Sequence, residues 1–174
     1  PWCVSNLALC DAFYRAHGGV PGVLAGIFLR LMRTVKRSAL VPYSTAQMYH
    51  IINDIGRYPD FLPWCVGSEI LVASESELVA RLDLARGGLS QSFTTRNRLS
   101  PPHGVTLELV DGPFTALSGA WALQALGEDG CKISMQLQFE FNSRVMNAAL
   151  GQVFTGAVDK MVEAFCQRAD QLYD

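Results

Sequence analysis

Ile133-Ser-Met-Gln-Leu-Gln-Phe-Glu-Phe141, followed by a long stretch with apolar residues at helical steps, decides the fold of this chain. Successive strand side chains point to opposite faces. Ile133, Met135, Leu137, Phe139 and Phe141 therefore face one way, and Ser134, Gln136, Gln138 and Glu140 the other. Asn142 or Ser143 then caps a helix that lasts almost to the C-terminus. Met146, Ala149, Leu150, Val153, Phe154, Ala157, Met161, Ala164 and Phe165 recur at its three- and four-residue steps. A stripe of that length must be buried, and the concave face of the preceding sheet is the available partner. Met146, Leu150, Val153, Ala157 and Met161 are expected to point inward. Gly151 and Gly156 weaken the helix by up to about 1 kcal/mol each relative to alanine. They read either as points of close approach or as ordinary helix-to-sheet packing.

Working back from that strand, alternation and turn residues mark five more, at residues 69–74, 78–84, 91–99, 105–110 and 114–126. Glu75-Ser-Glu77, Gly87-Gly88, Pro101-Pro102 and Asp111-Gly-Pro113 supply the breaks between them. Leu78, Ala80, Leu82 and Leu84 alternate with Val79, Arg81 and Asp83, as a half-buried strand requires. Near the front, residues 35–42 read as a first strand with Val35, Arg37, Ala39 and Val41 on one face. Ser44 N-caps a helix over residues 45–54, and Gln47 completes a capping box. Met48, Ile51, Ile52 and Ile55 form its apolar stripe. The order strand, helix, connector, six strands, long helix makes an α+β fold with about seven antiparallel strands.

The connector is Tyr58-Pro-Asp-Phe-Leu-Pro-Trp-Cys65. Pro59 and Pro63 fix their own φ angles, lack donors, and push Tyr58 and Leu62 towards extended backbone. A rigid apolar elbow is expected here, neither helix nor strand. Such an elbow walls a pocket or caps a core, and the octapeptide alone leaves both readings open.

Hydrophobic residues make up 49% of the 174 and charged ones 17%, which suits one globular domain and excludes a disordered chain. A formal charge of −2 creates no overall field towards nucleic acid or anionic lipid. Cys3, Cys10, Cys65, Cys131 and Cys166 form no CxxC pair, and His17, His50 and His103 lie far from any paired cysteines. That pattern points to free thiols in a reducing cytosol, with neither a disulfide framework nor a zinc site.

Residues 1–31 stand apart. Gly18-Gly19, Pro21-Gly22 and Gly26 punctuate them, and only Asp11, Arg15 and Arg30 are charged. Their apolar run, residues 20–29, is about half the ~20 residues that a bilayer span needs. No signal-peptide cleavage pattern follows it. Three readings stand: a peripheral amphipathic segment, an extra docked helix, or translated sequence upstream of the true start. The third is favoured, because Met32-Arg-Thr-Val-Lys-Arg37 reads as a beginning. Residues 1–31 are thus taken as an N-terminal extension and 32–174 as a single domain.

Ser38-Ala-Leu-Val-Pro-Tyr-Ser44, the elbow, Phe93-Thr-Thr-Arg-Asn97, Asp111-Gly-Pro-Phe114, Gly119-x-Trp121 and Phe139-Glu-Phe141 occur in a characteristic order and spacing. Together they resemble the coenzyme Q-binding and ribosome association toxin (RatA) family, within the START-like polyketide cyclase/dehydrase and lipid transport group. The resemblance covers roughly residues 33–172. It implies a helix-grip architecture, in which a curved antiparallel sheet wraps a long C-terminal helix around a deep cavity. It also implies one of two functions. One branch binds ubiquinone in support of respiration, with no known reaction on it. The other comprises toxins of toxin–antitoxin modules that associate with the large ribosomal subunit and block subunit joining and translation initiation. The implied partners are an isoprenoid quinone or other hydrophobic ligand, the large ribosomal subunit, and a peripheral membrane contact, with no DNA. The implied location is cytoplasmic, peripheral at the inner face of the membrane. No cofactor is implied beyond ubiquinone as a bound ligand.

A quinone with a long tail needs an apolar cavity with a few polar groups for its head. Candidates for the lining are Phe61, Leu62, Trp64, Phe93, Phe114 and Leu117, together with Trp121, Phe154, Val158 and Met161. Each is equally at home in a plain core; as a set on both sides of the expected sheet–helix space they point to a cavity. Arg96 joins them as a polar candidate and shares a strand face with Arg98. Inward, the pair needs a partner such as Asp111 or a ligand oxygen; outward, it is a solvated edge.

From Arg33 on, twelve basic and fifteen acidic residues give a charge of −3. An rRNA footprint therefore has to be a local patch, around Arg33, Lys36, Arg37 and the strand arginines, or give way to contacts with ribosomal protein. Neither His50 nor His103 has a sequence-local partner for acid–base work, and no basic residue near Cys65 activates its thiol. The chain reads as a binder, not an enzyme. A chain starting at Met32 is expected to fold and bind as well as the full one. Denaturant unfolding checks this: a loss of more than about 2 kcal/mol on truncation would place the segment in the core.

Overall fold

The computed structural model describes residues 32–127 and 130–174; the expectations for residues 1–31 lie outside the described residues. The strands are β1 (Arg33–Val41), β2 (Cys65–Ala73), β3 (Glu77–Arg86), β4 (Leu89–Ser100), β5 (Gly104–Asp111), β6 (Phe114–Leu126) and β7 (Gly130–Phe141). The helices are α1 (Thr45–Asn53), α2 (Tyr58–Phe61) and α3 (Arg144–Tyr173), with a 3-10 turn at Ile55–Arg57. One antiparallel sheet has the spatial order β1-β7-β6-β5-β4-β3-β2, so β2 to β7 form a meander and β1 returns beside β7. Its two edges, β1 and β2, are the strands on either side of α1 and α2 in the chain.

The alternation in β7 sets the inner face. Cys131, Ile133, Met135, Leu137, Phe139 and Phe141 are all buried. On β1 the register places Val41, Ala39, Arg37 and Val35 opposite the first four of these. On β6, Leu123, Trp121, Gly119 and Leu117 lie opposite Ile133 to Phe139 at every second residue. Gly119 is the one gap in that apolar row. A Cβ there would stand 2.7 Å from both the Gln136 carbonyl oxygen and Leu137 Cδ1, so the glycine lets neighbouring strands and side chains close over it.

Helix α3 lies across this face, close to β1 and β7. Leu150, Ala157, Val158, Val162, Phe165 and Ala169 are its buried line. The expected stripe is corrected in two places: Ala149 is exposed, and Val153 is 38% exposed. Met146 and Met161 are half-buried. Gly151 explains the seat of the helix. The Arg33 guanidinium lies 2.7 Å from where a Cβ would be, and its Nη2 donates to the Asn147 carbonyl at 3.4 Å. Arg37 forms an ion pair with Asp159 two face-repeats further along β1. Gly156 has open space where a Cβ would sit.

The C-terminal end of α3 is held by the β1–α1 corner. The Tyr43 hydroxyl lies 2.7 Å from Asp170 Oδ1 and 2.8 Å from Asp174 Oδ1. Hydrogen bonding to Asp170, then burial, pushes the phenol well above its ordinary range, so it remains a donor. The Tyr173 hydroxyl reaches back to the Gln47 carbonyl at 3.4 Å. In α1 the capping box forms as read: the Ser44 hydroxyl accepts from Gln47 N, and Gln47 Oε1 accepts from Ser44 N at 2.9 Å. Ser143 takes the N-cap position of α3 with extended backbone, but its side chain makes no capping bond.

The elbow differs from its expected form. Tyr58–Phe61 is a single α-helical turn with Pro59 in its first positions, and Tyr58 is helical at φ −54°, ψ −39°. Steric bias against helical backbone before proline is overcome by long-range contacts. The Tyr58 hydroxyl donates to the Ile52 carbonyl at 2.6 Å, and its ring meets Phe165 edge-on at 5.4 Å. Leu62 is extended, as expected ahead of Pro63.

Asp111-Gly-Pro-Phe114 sits between register shifts at Thr94/Thr95 and Phe114/Ala116, and bulges of this kind bend a sheet. Gly112 has φ +147°, and a Cβ would lie 2.6 Å from Phe93 Cβ. Gly112→Ala is therefore expected to destabilise the fold by about 1–3 kcal/mol. A denaturation midpoint unchanged from that of the parent chain would contradict this.

Candidate functional site

Because α3 leans towards β1 and β7, the β3–β5 side of the inner face is only partly covered, and a two-lobed apolar cavity opens there. The inner lobe, about 80 Å³, runs between α3 and strands β3 to β7 and touches Ile52, Ile55 and Tyr58 on the elbow side. The outer lobe, about 60 Å³, opens between α3 and the β3–β4 hairpin at Arg86, Leu89 and Gln91. Trp64, Leu84, Phe93, Phe154 and Ala157 border both lobes and form the neck between them.

Two aromatic groups brace this space. Towards the mouth, Phe154 packs edge-on to Phe139 at 4.7 Å, and Phe114 stacks on Phe141 at 4.7 Å. Phe93 meets Phe114 edge-on at 5.6 Å. On the far side, Phe165 gathers Trp121 at 5.0 Å and Phe61 at 5.1 Å. Rings held edge to face on several sides lose little by staying in place, so the walls are stiff.

Most residues expected to line a cavity do border this one. Leu62, Leu117, Trp121, Val158 and Met161 line the inner lobe, Phe114 the outer, and Trp64, Phe93 and Phe154 both. Two do not. Phe61 turns away, packing on Tyr58 and Phe165 with the Arg168 guanidinium 5.7 Å above its ring. Arg96 points to the opposite face of β4, where Nε lies 3.4 Å from Glu77 and Nη1 lies 3.6 Å from Glu108. Arg98 shares Glu108 at 3.4 Å. The outward, solvated alternative holds for this pair, because an inward pair would strand two charges among apolar side chains. The partners are Glu77 and Glu108, not Asp111.

The polar groups of the inner lobe are ones the sequence reading passed over. Thr95 and Asn97 share Phe93's face of β4 and are buried. Asn97 Oδ1 and Trp64 Nε1 are buried and have no hydrogen-bond partner among the described residues. Strand parity from Phe93 was the signal that could have found Thr95 and Asn97. The described residues lining the cavity include no His, Cys, Lys or carboxylate. Burial pushes the thiol of nearby Cys65 up, away from thiolate reactivity at neutral pH. No group of three or more His, Cys, Asp or Glu among the described residues could hold a metal ion.

Residues 41–166 match the family model described as polyketide cyclase / dehydrase and lipid transport. The chain is 50% identical over 139 residues to the ribosome association toxin RatA of Pseudomonas aeruginosa, covering 80% of this chain and 96% of that protein. It is 27% identical over 140 residues to the mitochondrial coenzyme Q-binding protein COQ10 homolog B of Xenopus laevis, covering 78% of this chain and 57% of that one. In structure it is similar to a START superfamily protein from Mycobacterium smegmatis, with a TM-score of 0.69, 23% identity, and 80% and 98% of the two chains covered. The Zhui aromatase/cyclase from Streptomyces sp. R1128 has the same TM-score of 0.69 at 19% identity, with 80% and 94% covered. The helix-grip fold, the motifs and these likenesses agree: the chain belongs to the polyketide cyclase / dehydrase and lipid transport family, in its coenzyme Q-binding and RatA group.

Proposed function

We propose that this protein is a non-catalytic carrier whose cavity takes an isoprenoid quinone or an apolar ligand of similar shape. The observation that carries this reading is the cavity itself: a stiff, aromatic-walled space under α3 with a small number of polar atoms and an open mouth. Such a lining suits a largely apolar molecule with a small polar head. It does not suit acid–base catalysis, since the described lining residues offer no His or carboxylate within it. The likeness to the COQ10 homolog supports the same ligand class. No helix among the described residues is long and apolar enough to cross a membrane.

A second reading has its own support. The 50% identity to RatA spans nearly the whole of that relative, far above the 27% to the COQ10 homolog. For the cellular role, this favours association with the large ribosomal subunit, with toxicity through blocked subunit joining and translation initiation. Edge strand β2 leaves Ile70, Leu71 and Val72 about half exposed, an apolar border that a partner would cover.

Native extraction of the purified protein followed by mass spectrometry tests the first reading. An isoprenoid quinone or comparable lipid at near one per chain is expected, and a chain free of lipid argues against it. Sucrose-gradient sedimentation of cell extract tests the second, with the protein expected in the large-subunit fractions. Its absence from them at low salt would overturn that role. Trp64→Ala links site and ligand. It should weaken binding by roughly 1–3 kcal/mol, beyond the about 3–5 kcal/mol of stability that losing a buried large aromatic costs. Unchanged affinity per folded molecule would make Trp64 a core residue only.

A further inference from the structure

We propose that the inner lobe is a head-group site: an amphiphile enters with its small oxygen-bearing head first, meets Asn97 and the Trp64 indole, and leaves its apolar tail in the outer lobe and mouth. The inference rests on the cavity reading above and adds the direction of insertion and the residues that recognise the head.

Three observations carry it. First, Asn97 is 7% exposed and Trp64 is 5% exposed, yet Asn97 Oδ1 and Trp64 Nε1 find no hydrogen-bond partner among the described residues. Buried polar atoms in native folds are nearly always paired, and an exception in a cavity wall marks where a ligand supplies the partner. Second, the inner face of β4 carries two buried polar residues beyond Phe93. From the hairpin inward it runs Leu89, Gln91, Phe93, Thr95, Asn97, so an aromatic neck separates the mouth from a polar inner end. Third, the inner lobe, about 80 Å³, has room for roughly half a dozen waters. That is the space of one substituted ring; the outer lobe is no larger, about 60 Å³, but it opens to solvent, so a longer tail can continue only there.

The opposite orientation would put the head at the mouth, near Arg86 and Gln91. It would press hydrocarbon against Asn97, which borders the inner lobe and not the outer, and leave it unpaired. The mouth also carries Leu89, 45% exposed, and Val153, 38% exposed, which suit an emerging tail. An indole N–H only donates, so the ligand atom facing Trp64 is an acceptor such as a carbonyl or ether oxygen. The orphaned atom of Asn97 is Oδ1, which only accepts, so the ligand atom facing it is a donor such as a hydroxyl. A ring bearing both kinds of oxygen satisfies the site, and a bare hydrocarbon satisfies neither group.

The test titrates the full chain with ubiquinol-2, kept reduced so that its ring carries hydroxyl donors and ether acceptors, and with farnesane, an isoprenoid hydrocarbon without oxygen, by calorimetry in matched detergent. Asn97→Leu should weaken ubiquinol-2 about tenfold or more and leave farnesane within about twofold, since only the oxygenated head loses a partner. The empty Asn97→Leu protein should melt at or above the parent temperature, because an unpaired buried amide is replaced by an apolar side chain. Trp64→Phe removes the N–H and keeps an aromatic wall. It should show the same selectivity, and it carries the test alone if Asn97→Leu does not fold. Equal loss of both probes, or unchanged ubiquinol-2 affinity, overturns the inference and leaves the carrier reading intact. So does a parent chain that binds farnesane or ubiquinone-2 but not ubiquinol-2. A parent chain that binds none of the three overturns both.

Discussion

The lateral placement of α3 over the sheet is the constraint on which the rest depends. The helix is 30 residues long and lies along β1 and β7 at one side of a seven-stranded surface. Arg33 against Gly151 and Arg37 against Asp159 tie its middle to β1. These are half-exposed contacts, so they set position more than stability. Tyr43, between Asp170 and Asp174, ties its far end. A helix fixed so far to one side cannot also fill the space above β3, β4 and β5. The cavity follows from that geometry, and close packing elsewhere keeps it from collapsing.

The family motifs read as mechanical parts of this arrangement. The β1–α1 corner supplies Tyr43 for the helix end. The elbow supplies a helical turn that presses Tyr58 and Phe61 onto Phe165 and turns Leu62 and Trp64 towards the cavity. Gly112 lets the β5–β6 turn close against Phe93, and Gly119 keeps the sheet thin beneath the inner lobe. In each case the residue type is required by a close approach or a ring contact, and the same parts would serve a binder or a catalyst.

That is why fold alone does not choose between the activities found among similar structures, which include an aromatase/cyclase. The choice lies in what faces the cavity. Here the described walls are aliphatic and aromatic with a few neutral polar groups, and the one charged side chain, Arg86, stands at the mouth; such an interior penalises charge and rewards shape. On the opposite face of β4, Arg96, Arg98, Glu77 and Glu108 neutralise one another.

The sequence by itself determined the parts that depend on near neighbours. Period-two alternation marked β7, three- and four-residue steps marked α3, and Ser44 with Gln47 announced the start of α1. Such patterns arise within a few residues, so they are legible without coordinates. Only the tertiary structure decided matters set by residues distant in the chain. Tyr58 became helical because Phe165 and Ile52 hold it. Val153 was left at the mouth because α3 seats on β1 through Gly151. Phe61 became a brace for α3, and Phe154 became part of the neck, although both are large aromatics next to apolar stretches. Hydrophobic periodicity says which side chains leave water; whether they fill a core or border a cavity depends on how far apart the packed elements finally stand.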